Sequence, residues 1–307
     1  MRYGIIFPTM EIGTDPSVIR DWIFRASELG FDHVIVFDHV LGVDAAIRPD
    51  YGATFPVEGG TPPYVVEDEF HETIVTLSFI AALAPNLELS SGIIITPQRQ
   101  TALLGKQLAE LDVVSGGRLR LCAGVGWNPI EYEALQVDFH TRGRRMDAQI
   151  EALRALWINR VVDIDNEFEH IVGAGYSPNA VQRPIPIWIG AYQPKALERV
   201  GRIGDGWYHS KENPPQIRSD LDIIRRAAEA AGRDPHALGI EGGVEMTFGL
   251  NGMDERAKVR EGYGATHIAI DPMHDRYRGA EHIAVLDKIA KQFPLTNQPG
   301  KRANRRS

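Results

Sequence analysis

Apolar and polar positions follow two periods along the chain, and their alternation predicts the elements. A strand over 3–7 is stopped by Pro8. Asp15-Pro16-Ser17 opens a helix in which Val18, Ile19, Trp22, Ile23, Ala26 and Leu29 share one face, with Gly30 as its cap. A second strand, 33–37, runs into Asp38-His39. The Gly/Pro/Tyr-rich stretch from 41 to about 66 is longer than an ordinary connection and is expected to be a lid. Helices follow over 69–83, 100–114, 142–157, 194–203, 216–231, 254–262 and 282–293. Strands are expected over 87–95, 119–123, 186–190, 206–208, 239–248 and 266–270. Residues 161–181 read as an insertion with a hairpin around Asp165-Asn166.

Strand and helix alternate about eight times with no break in composition. At 307 residues this predicts an α/β fold, a single (β/α)8 TIM barrel with insertions over 1–295. An open doubly wound sheet is the alternative, but it calls for fewer units or a second domain. The basic stretch 296–307 lacks an apolar pattern and is expected to be a disordered tail. The net charge of -8 argues against a nucleic-acid binder. The single cysteine, Cys122, lies in an apolar strand and reads as an inert core thiol. No apolar run reaches the roughly 20 residues that span a bilayer. The opening residues form a strand and not a signal peptide, so a soluble, cytoplasmic protein is expected.

A barrel places its site at the C-terminal ends of the strands. The residues there include Phe7, Asp38, His39, Gly92, Gly124 to Asn128, Gly190 to Tyr192, Trp207 to Ser210, Glu245 and Asp271. Asp38 and His39 form the clearest polar pair, fit for acid–base work or for holding a ligand ring. Other readings are an Asp that caps the loop, or a metal shared with His71 or His140. No metal-ligand spacing accompanies them, so no metal is expected. Ser90, Ser91 and Gly92 interrupt a buried strand, as at a bulge, a small-residue packing site or a close backbone approach. The turns Gly124-Val125-Gly126-Trp127-Asn128 and Gly190-Ala191-Tyr192 each follow a strand and precede a helix. Their backbone N–H groups would suit a phosphate. Trp127, Trp207 and Tyr192 would make an apolar rim.

The stretch LAELDVVSGGRLRLCAGVGW, residues 108–127, resembles the signature of the bacterial luciferase-like flavin and deazaflavin oxidoreductases. The resemblance continues through 142–147, 151–157, 182–191 and 204–207, and includes the opening RYGIIFP and FDHV at 37–40. It implies a (β/α)8 barrel that binds coenzyme F420 or FMN and a small-molecule substrate. It places a non-proline cis peptide at Gly92-Ile93, supporting the ring, with Asp38 and His39 facing it. It gives the phosphate and adjoining chain to Gly124, Val125, Gly126, Trp127, Asn128, Gly190, Ala191 and Tyr192, with Trp207 nearby. Flavin members often carry an arginine between the two turn glycines; here that residue is Val125. The resemblance therefore implies the F420-dependent subgroup and hydride transfer, with FMN-dependent monooxygenation as the alternative. A non-catalytic flavin-binding barrel is a further one. A homodimer is expected on the same ground.

Overall fold

The computed structural model describes residues 1–51, 62–273 and 277–299. Eight positions of a closed parallel barrel are filled in chain order by β1 (Arg2–Ile6), β2 (His33–Val36), β3 (Glu88–Ser91) with β4 (Ile94–Ile95), β5 (Leu119–Gly124), β8 (Ile187–Gly190), β9 (Gly206–His209), β10 (Gly239–Glu245) and β11 (His267–Asp271). Pairing of β1 with β11 and of β3 with β5 closes the ring. The intervening β6 (Val162–Asp165) and β7 (His170–Ala174) form the expected hairpin, antiparallel and outside the barrel. The helices are α1 (Pro16–Leu29), α2 (Thr73–Leu83), α3 (Thr101–Ser115), α4 (Pro129–Ala134), α5 (Arg142–Ile158), α6 (Pro194–Ile203), α7 (Pro214–Ala230), α8 (Met253–Gly262) and α9 (Glu281–Ala290).

Local chemistry sets the boundaries. Asp15 accepts the Ser17 N–H at the start of α1, and Gly30, at φ 90°, ends it in the left-handed conformation. Glu72 accepts the Val75 N–H at 2.6 Å, so α2 starts at Thr73 and not at 69. The strand expected over 87–95 is two strands, β3 and β4, with the cis Gly92–Ile93 peptide between them. The strand expected over 239–248 stops at Glu245 and tightens into a 3₁₀ turn, Met246–Phe248. Residues 296–299 of the expected tail are described. Asn297 is buried, and its Nδ2 donates to Phe31 O at 2.8 Å and Asn86 O at 2.9 Å. The remainder, 300–307, lies outside the described residues, as does the middle of the expected lid, 52–61.

Strand alternation divides the interior in two. Outward residues such as Val34, Leu121, Ile187 and Trp207 pack under the helices in the main core. Inward residues Ile6, Ile35, Cys122, Trp188, Tyr208 and Ala269 form a separate cluster with Met273. Below it lies a buried charge network. Arg120 donates to Glu88 at 2.9 Å and to Glu241 at 2.6 Å, and Glu241 also meets His33 Nε2 at 2.5 Å. The Arg120 guanidinium lies 4.2 Å from the Trp188 ring centre. Cys122 is fully buried, and burial pushes its thiol well above the usual range.

Candidate active site

Ile93 stands at the C-terminal mouth and decides what the neighbouring glycines do. A Cβ on Gly124 would lie 2.4 Å from Ile93 Cδ1, and one on Gly190 would lie 2.7 Å from Ile93 Cγ2. The terminal glycines of β5 and β8 thus make a socket for this side chain. Met10 and Phe37 pack against the same inward cluster, giving the mouth an apolar floor.

The two turns differ from a bare glycine loop. Asn128 caps α4 by accepting the Ile130 N–H at 3.0 Å, and its Nδ2 donates to Tyr64 OH at 3.0 Å. Val125 packs against the core, and its carbonyl accepts from Tyr132 OH at 2.6 Å. Asn128 and Ala191 are buried at the two turns, each just before a helix. Backbone N–H groups at such strand-to-helix turns fit an anionic group, such as the phosphate of a flavin or deazaflavin. Trp127 is not on an open rim. It stacks on Tyr51 at 5.8 Å and meets Tyr64 and His39 edge-on. Trp207 corrects the rim expectation outright. It points outward from β9, is fully buried, and donates its Nε1–H to Ala191 O at 3.0 Å. Tyr192 is the exposed one, with its OH 2.8 Å from Ser210 Oγ.

Asp38 and His39 are neighbours in the chain with separate tasks. Arg99 donates to both Asp38 oxygens at 2.8 Å, and the Ile95 N–H donates to Oδ2 at 2.8 Å. Thr73 Oγ1 adds a contact to Oδ1 at 3.0 Å. Asp38 therefore ties the end of β2 to β4 and to the start of α2, and it does not orient His39. That task falls to Glu131, fully buried in the first turn of α4. Glu131 Oε2 lies 3.1 Å from His39 Nδ1, and Tyr64 OH is 2.8 Å from the same nitrogen. Burial alone would raise the Glu131 carboxyl. The His39 contact, the Val40 N–H and Gln98 outweigh it and hold the group below the usual carboxylate range. His39 is half-buried, and its Nε2 makes no hydrogen bond to another described residue. Glu131, Tyr64 and Arg99 were not singled out in the sequence. The acidic residue in a helix-opening turn was the available sign of Glu131.

Across the mouth, Glu245 and Asp271 are partners in the β10–β11 register. Burial pushes Asp271 up to about 7; the Met273 N–H opposes this, and the nearby Glu245 charge adds to it. His209 points away from the mouth. It is buried against Trp207, its Nε2 is 3.2 Å from Tyr263 OH, and burial brings it down to about 3. Among the described residues no group of three or more His, Cys, Asp or Glu is arranged to hold a metal ion. No helix among them is long and apolar enough to cross a membrane.

Comparison with known proteins agrees with the architecture. The chain is 31% identical over 177 residues to an uncharacterised protein of Mycobacterium tuberculosis, a match covering 56% of this chain and 61% of that one. It spans about three fifths of the length of such mycobacterial relatives. Among solved structures, an F420-dependent secondary alcohol dehydrogenase bound to an F420–acetone adduct superposes with a TM-score of 0.76 at 14% identity, covering 96% of this chain and 98% of that one. A monooxygenase from Streptomyces bottropensis gives 0.73 at 21% identity, covering 95% and 98%. The profile of the luciferase-like monooxygenases matches residues 1–304. The chain belongs to the luciferase-like monooxygenase family.

Proposed function

We propose that this protein is an F420-dependent oxidoreductase that transfers a hydride between the deazaflavin and a small organic substrate. One observation carries the reading: His39, which follows β2, is held through Nδ1 by Glu131, and its Nε2 has no partner among the described residues. Bound F420 supplies a two-electron hydride donor or acceptor. Reduction of a polarised double bond adds a hydride at one end and a proton at the other. His39 Nε2 gives that proton, and in the reverse direction takes it. The apolar floor of Met10, Phe37 and Ile93 suits a ring and an apolar substrate surface. The backbone N–H groups of Asn128 and Ala191, at buried turns that precede helices, suit the cofactor's phosphate.

The same fold carries FMN-dependent monooxygenases, and this is the second reading. Val125 favours the first, because the turn offers no cationic side chain to clamp an FMN phosphate. Titration of the protein with F420 and with FMN, followed by fluorescence, separates the two. Tighter F420 binding is expected. Tighter FMN binding with substrate-dependent oxygen uptake would overturn the proposal.

The protein is further proposed to act in the cytoplasm as a homodimer. The α2 helix is apolar on nearly every side yet leaves Val75 and Phe79 exposed, 70% and 43%, one turn apart. A second copy covering that face gives twice the chain mass in light scattering; the mass of a single chain contradicts it.

A further inference from the structure

We infer that Glu131 is a positioning residue that fixes the tautomer of His39, holding the proton on Nδ1 so that Nε2 is the nitrogen that exchanges protons. The catalytic meaning of this assignment rests on the proton transfer proposed above, whereas the tautomer itself does not.

The inference follows from counting donors around one carboxylate. Glu131 Oε1 accepts two backbone N–H groups, Val40 at 2.6 Å and Leu41 at 3.2 Å. Oε2 accepts from Gln98 Nε2 at 3.1 Å and faces His39 Nδ1 at 3.1 Å. An ionised carboxylate only accepts, so a favourable contact at Nδ1 requires a proton on Nδ1. Tyr64 OH, 2.8 Å from Nδ1, is the competing partner. As a donor it would leave a bare Nδ1 lone pair against the buried carboxylate. As an acceptor it shares the same Nδ1–H, a role its Asn128 contact already shows it can fill.

The backbone also sets what a glutamine would do at this position. The Val40 and Leu41 N–H groups demand an acceptor, so they lock the amide oxygen of the Glu131→Gln side chain onto themselves. Its NH₂ then falls where Oε2 was, facing His39 Nδ1. The donor–acceptor polarity of the contact inverts without a change of size, and the proton is driven to Nε2. Gln98 can follow by rotating its amide, since its Oε1 is buried without a partner in the wild type. The isosteric change is thus expected to reverse the tautomer while leaving the packing intact.

Nitrogen-15 NMR of histidine-labelled, cofactor-free protein tests this, with His39 assigned by the signal lost in His39→Gln and the pH raised until the ring is neutral. The wild type is expected to show the protonated nitrogen at Nδ1, Glu131→Gln at Nε2, and Tyr64→Phe at Nδ1 as in the wild type. A wild-type proton on Nε2, an unchanged tautomer in Glu131→Gln, or a reversal in Tyr64→Phe would overturn the assignment. Should Glu131→Gln fail to fold, the wild-type and Tyr64→Phe spectra still decide. A companion F420 titration keeps the two claims apart. Reversal of the tautomer in a protein that binds no F420 would leave the positioning role standing and remove the proposed function.

Discussion

Replacing Arg120 with methionine is expected to cost about 3–5 kcal/mol of unfolding free energy, read as a lower denaturant midpoint. Arg120 is 4% exposed, and its guanidinium joins two carboxylates inside the barrel. Methionine restores most of the volume but none of the charge. Glu241, fully buried, would be left with His33 as its hydrogen-bonded partner. The penalty is therefore chiefly that of a stranded carboxylate, and the double variant Arg120→Met/Glu241→Leu is expected to lose less than the sum of the single ones. A change below about 1 kcal/mol in the single variant would place the network among ion pairs of surface strength.

The pH dependence follows from the same pair. Burial by itself raises both carboxyls; Arg120 outweighs it, holding Glu88 down at about 2 and Glu241 lower still. Folded values below the unfolded carboxylate value of about 4.3 give stability that is fully present above that pH. It is lost as the pH falls towards the folded values. The gap between wild type and Arg120→Met is thus widest above about pH 5 and narrows on acidification.

His39→Gln is expected to lower kcat/KM by about 10²–10⁴-fold while leaving cofactor affinity unchanged. The ring touches Tyr64, Phe70 and Trp127, and its Nδ1 meets Glu131. These contacts orient a proton-exchanging nitrogen, and none of them is to a backbone N–H assigned to the phosphate. A loss below tenfold, or an equal loss of F420 binding, would make His39 part of the cofactor seat and not a proton carrier.

The barrel was legible in the sequence because period-2 and period-3.6 runs alternate from β1 to α9, and tertiary packing left most boundaries where local signals set them. The position of the cis peptide came from the family resemblance, since nothing in Gly92 or Ile93 alone specifies it. The glycines were harder. A strand-ending glycine reads the same whether it admits a ligand or a neighbouring side chain, and Gly124 and Gly190 admit Ile93. Trp207 reads as a rim residue from its strand-end position alone, and the inward–outward alternation of β9 turns it outward. Glu131 was hidden by distance: 92 residues separate it from His39, and only the fold joins them. Arg120 carried a visible signal, a cation inside an apolar strand, whose partner in β10 is 121 residues away.

The account stands on the mouth of the barrel as the seat of a flat redox ring. A crystal structure of the protein soaked with F420 measures this directly. The ring is expected against Ile93 with His39 Nε2 beside its open face, and the phosphate is expected on the N–H groups of Asn128 and Ala191. Density for the ring at the opposite end of the barrel, next to Arg120 and Glu88, or outside the barrel altogether, would contradict it.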